Sequence, residues 1–213
     1  MFELAISAAV AFFVTIDPVG MAPYFAALTK NGGLRYRRRM ALRGTMIGGS
    51  ILLGFALFGR GLLDVLGIGL PAFRIAGGIL LIILAIEMVF ARPSGLRGTT
   101  EGERNEASGA QDISVFPLGI PLIAGPGAIT SVILLMGRAG GDPAAASLVL
   151  GVLALVLLTT LVLLLIAGRV ARVLGVTGIN VIDRVLGVLL AALACQYVLD
   201  GLREAGIGGA AIG

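Results

Sequence analysis

Six stretches of the chain, roughly 4 to 28, 41 to 63, 70 to 91, 113 to 137, 144 to 168 and 180 to 202, are almost wholly apolar. Each is long enough to cross a bilayer, which takes about 20 residues of helix. A soluble fold would have to bury all six at once. With 58% of 213 residues hydrophobic and 13% charged, the polar surface to cover them is missing. The reading is an all-α integral membrane protein with a single transmembrane domain over 1–213. The opening MFELAISAAVAFFVTI carries Glu3 and no basic start, so it is expected to belong to the first span and not to a cleaved leader.

What the spans leave over is mostly short, except for the polar segment 92–112, which reads as a mobile linker. Twelve lysines and arginines, including the run RYRRR at 35–39, fall on one side of a six-span layout, and Arg60, Arg74, Arg138 and Arg203 fall on the other. By the positive-inside rule the twelve are cytoplasmic, and both the N- and C-termini are expected outside. The net charge of +4 comes from a short loop and not from an amphipathic face, so membrane orientation explains it and no nucleic-acid partner is expected. Arg74, Asp183 and Arg184, near span ends, read as interfacial anchors or an ion pair.

The lone Cys195 sits in an apolar span and histidine is absent, so neither a disulfide framework nor the usual metal ligands are at hand. There is no nucleophile with its base, no HExxH, no CxxC and no phosphate-cradling loop with its lysine. Neither an enzyme nor a metal or cofactor site is expected.

Laid side by side, the halves 1–91 and 113–213 show a faint repeat. VLG at 65–67 matches VLG at 173–175, and FRIAGGILL at 73–81 resembles DRVLGVLLA at 183–191. IDPVGMAP at 16–23 then falls opposite AGPGAITS at 124–131. Three spans per half invert the second copy, which predicts inverted-topology repeats of the kind found in secondary transporters.

Both matching segments interrupt a span at its middle. Pro18 lacks an N–H and drives the residue before it out of helical geometry. Residues 4–16 and 18–28 therefore read as two half-helices, with Asp17 as N-cap and Pro18 at the first helical position. In the fourth span, PLGIPLIA at 117–124 reads as one half-helix, with Gly125 as the cap and Pro126 at the start of the next. Such breaks survive in lipid only where protein or a water-filled cavity serves the freed backbone groups. Two helix starts meeting at mid-membrane would present N–H groups to a carboxylate. The free carbonyls of the preceding half-helices, with Asp17, would accept an ammonium group. A zwitterionic amino acid meets both demands. A passive pore or exporter with two facing half-helices stays open beside it, as does a non-transporting membrane scaffold.

The candidate substrate-binding residues are Thr15, Asp17, Pro18, Gly20, Met21, Gly125, Pro126, Gly127 and Thr130. Any one of the hydroxyls, Ser131 included, can simply bond back to its own helix. Asp17 and Glu87 are the candidates for coupling to H⁺ or Na⁺.

Taken together, IDPVGMAPYF, FRIAGGILLIILAIEM, PLGIPLIAGPGAITSVI and VIDRVLGVLLAALACQYVLDGL resemble the MarC family of integral membrane proteins, also called the small neutral amino acid transporter (SnatA) family. The resemblance covers nearly the whole chain. It implies a six-span protein of the inner membrane and, from some relatives, transport of glycine, alanine and other small neutral amino acids. The family pattern DPxGNxP maps onto Asp17, Pro18, Gly20 and Pro23, and the second break onto Gly125, Pro126 and Gly127. Met21 stands where that pattern has asparagine.

Overall fold

The computed structural model describes residues 1–90 and 112–207. They form eight helical segments: α1 Phe2–Ile16, α2 Pro18–Leu28, α3 Leu34–Val65, α4 Leu70–Phe90, α5 Ser114–Ile123, α6 Pro126–Arg138, α7 Pro143–Leu165 and α8 Ala167–Glu204. Five stretches are long and apolar enough to cross a membrane: α1 with α2 as Phe2–Leu28, then α3, α4, α7 and the Thr177–Glu204 part of α8. The pair α5 and α6, bent by 55°, makes a sixth if it counts as one span. The expected spans all fall on these elements. Of the expected linker, residues 92–111 lie outside the described residues.

Three local expectations need correction. The arginines of RYRRR are not in a loop, because α3 starts at Leu34 and they occupy its first turns. The turn runs from Thr29 to Gly32, whose N–H donates to the Thr29 carbonyl, while arginine is a good helix former. Secondly, α8 begins well before its span. Gly175, at φ 61° and ψ −179°, interrupts it in a conformation open to glycine alone. Residues 167–174 are thereby set off as a short helix carrying Arg169 and Arg172.

The third correction concerns α5, which is no regular half-helix. Phe116 and Ile120 are extended, each immediately before a proline. Pro117 and Pro121 exclude their predecessors from the α region and contribute no N–H. The chain closes on wider loops instead, Leu118 N–H donating to Ile113 C=O at 3.2 Å and Ala124 N–H to Gly119 C=O at 2.9 Å. Both X–Pro bonds are cis.

Lipid supplies no hydrophobic drive between helices, so close approach has to come from small residues. The α4–α8 pair shows how. A Cβ on Gly78 would stand 2.8 Å from the Ala194 carbonyl oxygen, and one on Gly187 2.8 Å from Met88 Cβ. Numbers rise along one helix as they fall along the other, so the two are antiparallel. Around them α1 packs on α6 and α7, α2 on α7 and α8, α5 on α3, and α6 on α3 and α4. Buried side chains such as Phe12, Ile16, Leu118 and Ile123 fill the interior beside the two interruptions, while Leu57, Phe58, Leu155 and Val188 face outward.

Candidate functional site

The first interruption is built by one residue. Asp17 adopts φ 49° and ψ 68°, the left-handed region that aspartate and asparagine tolerate better than other side-chain-bearing residues. Its N–H still closes α1 on the Phe13 carbonyl at 2.9 Å. Its Oδ1 accepts from the Gly20 N–H at 3.1 Å, the capping bond of α2, and Pro18 occupies the first helical position. Asp17 is 2% exposed.

Gly20 is where α8 closes in. A Cβ there would stand 2.1 Å from Asp17 Oδ2 and 2.9 Å from Asp183 Oδ1. Both carboxylates therefore lie against the one surface that the glycine leaves open. Asp183 is half-buried at this point and is not an interfacial anchor. This is the site residue that sequence reasoning missed. The available signal was its spacing: Asp183 precedes Gly187 by four residues, so both share the helix face packed against the other helices. Arg184 is exposed, and Arg74, although near a span end, is only 5% exposed and ion-paired with Glu204.

At the second interruption Gly125 is extended, φ −80° and ψ 167°, and Pro126 opens α6 without a side-chain cap. A Cβ on Gly127 would meet Leu81 at 3.0 Å, Leu84 at 3.1 Å and Thr15 Cγ2 at 3.6 Å. Thr15, from the end of α1, thus reaches the second interruption. Thr15, Pro121, Gly125, Pro126 and Gly127 line one small cavity together with Leu80 and Leu84 of α4. Its volume of about 20 Å³ has room for about one water.

The remaining candidates divide. The Thr15 hydroxyl donates to Ala11 C=O at 2.7 Å, the bond back to its own helix, which leaves its methyl toward Gly127. Thr130 is buried with its methyl against Gly77. In the same turn of α6, Ser131 Oγ is fully buried with no hydrogen-bond partner among the described residues. Met21, 4% exposed, packs in the apolar interior and does not line the cavity. Glu87 is buried on α4 beside Met88, which packs on Gly187, one turn of α8 beyond Asp183. Among the described residues, no cluster of three or more His, Cys, Asp or Glu is arranged to hold a metal.

A family model described as MarC family integral membrane protein matches residues 2–206. The chain belongs to the MarC family. A UPF0056 membrane protein of Archaeoglobus fulgidus is 37% identical over 193 residues, covering 90% of this chain and 89% of that one. UPF0056 membrane protein YvbG of Bacillus subtilis is 32% identical over 95% of this chain and 96% of its own. UPF0056 membrane protein YhcE of Escherichia coli is 34% identical, with 91% and 89% covered. No solved structure matches the chain. In this MarC-family protein, then, the end of α1, just before the proline-started α2, lies against the start of the proline-started α6 inside an integral membrane fold. Two carboxylates stand at one start, and a glycine-lined cavity lies at the other.

Proposed function

We propose that the protein is a secondary transporter of small neutral amino acids, of the glycine and alanine class, working by alternating access around the paired interruptions. The observation that carries this reading is the shared cavity, to which the end of α1 contributes Thr15 and the start of α6 contributes Gly125, Pro126 and Gly127. The first turn of α6, which has no side-chain cap, supplies N–H groups for the substrate carboxylate, whereas the Gly20 N–H at the start of α2 is already taken by Asp17. Asp17 and Asp183, against Gly20, supply the acceptor for its ammonium group or for a coupling H⁺ or Na⁺. Glu87 is the second coupling candidate.

Packing supports the inverted three-plus-three arrangement. Exchanging α1 to α4 with α5 to α8 sends the α1–α7 contact to α5–α3, α2–α8 to α6–α4, and α2–α7 to α6–α3, and each of these contacts is made, while α1–α6 and α1–α8 have no comparable counterpart. On this reading α5 and α6 form one broken span, the chain crosses the inner membrane six times, and both termini lie outside. At about 20 Å³ the cavity is too small for an amino acid, so on this reading binding requires it to widen. The protein is a carrier, performs no covalent chemistry and needs no cofactor.

Purified protein in liposomes, supplied with labelled glycine or alanine, tests this. A transporter accumulates substrate when a proton or Na⁺ gradient is imposed. Flux that only equilibrates would instead support a passive pore, and no flux of any small amino acid would leave a non-transporting scaffold.

A further inference from the structure

A second, roomier cavity lies away from the interruptions, where the end of α2, the start of α3 and the turn between α7 and α8 meet. Its volume is about 430 Å³ and four arginines line it: Arg37, Arg38, Arg169 and Arg172. Arg37 is held in place by the end of α2, its Nε donating to Thr29 C=O at 3.1 Å and its Nη2 to Lys30 C=O at 3.2 Å. Among the described residues, no carboxylate is ion-paired with any of the four. The same cavity is bordered by Leu34, 85% exposed, and Leu165, 46% exposed, apolar side chains at the ends of membrane-spanning helices.

Four positive charges around one concavity call for an anion. Guanidinium groups match phosphate oxygens in pairs, and a fixed arginine loses less freedom on binding than a free one. A soluble anion would have no use for the apolar border. A lipid would, because its phosphate sits at the depth of the helix ends while its chains run down the helices.

We propose that this cavity binds the phosphate of an anionic membrane lipid, gripped by Arg37, Arg38, Arg169 and Arg172, with its acyl chains lying along Leu34 and Leu165. The gap between helix ends would then be filled by lipid, and the short helix 167–174, joined to its span only through Gly175, would be tied to α2 and α3 through that headgroup. The site is independent of the transport reading.

The test is native mass spectrometry of the full-length protein with dioleoyl-phosphatidylglycerol or dioleoyl-phosphatidylcholine at equal concentrations. Wild-type protein is expected to retain one phosphatidylglycerol in preference to phosphatidylcholine. Removing charge should weaken it about fivefold per arginine in Arg169→Gln, in Arg172→Gln and, compounded, in the double variant Arg169→Gln/Arg172→Gln. The double variant Arg35→Gln/Arg39→Gln, equal in charge lost but off the cavity, should bind as the wild type does. Equal retention of the two lipids by the wild-type protein would overturn the proposal without recourse to any variant. So would an equal loss in the off-cavity control, or displacement of the lipid by millimolar inorganic phosphate, which would assign the site to a soluble anion.

Discussion

Asp17 has two backbone roles and a charge, and substitutions separate them. A left-handed φ costs a residue with an ordinary side chain about 1–2 kcal/mol, and loss of an N-cap costs about 1 kcal/mol more. Asp17→Ala loses both and the carboxylate, so its thermal unfolding, followed by circular dichroism, should move to lower temperature. Asp17→Asn keeps the cap and the tolerance for φ 49° and removes only the charge. It should unfold like the wild type yet lose gradient-driven uptake. Gly20→Ala addresses the same spot from outside, because its Cβ would stand 2.1 Å from Asp17 Oδ2 and must push the two carboxylates apart. Uptake should fall at least tenfold while helix content is retained. Asp17, Pro18, Gly125 and Pro126 were legible in the sequence because capping and first-turn proline are local chemistry. Asp183 was not, since its meeting with Gly20 depends on how α8 crosses α2, which no local rule states.

At the scale of elements, the prolines of the fourth span carry the lesson. A single proline reads as a helix start, and Pro18 and Pro126 obey. Pro117 and Pro121, four residues apart, each extend the residue before them, and together they replace a half-helix by two wide turns. Position within a run, not residue type, separates the outcomes. The entry to α5 is fixed by Asp112, outside the spans. Hydrogen bonds from the Ser114 hydroxyl and N–H, with Arg43 nearby, hold its carboxyl below the usual carboxylate range, against a smaller opposing effect of burial. A carboxylate whose folded value is depressed stabilises above its unfolded value, about 3.9, and that contribution disappears as pH falls through the folded value. Acidification below about pH 4 should therefore loosen the α3–α5 junction. Asp112→Asn should show a smaller loss of unfolding temperature over that interval than the wild type.

For the whole molecule, apolar length was readable in outline, whereas the glycine-lined α4–α8 contact was not, and the arrangement that sets α1 beside α6 was suggested only by the faint repeat. If α5 and α6 make one span, the termini face the same side. Reporter fusions or tags at either end should then respond alike to an impermeant reagent, and opposite responses would mean that α5 and α6 re-enter without crossing. The central claim is that the two interruptions together form the substrate site. An experimental structure of the protein with glycine or alanine bound tests it most directly. The account predicts density between the end of α1 and the first turn of α6, its carboxylate end toward the α6 N–H groups and its ammonium end toward Asp17 and Asp183. Density elsewhere, with the space between Thr15 and Gly127 still closed, would contradict it.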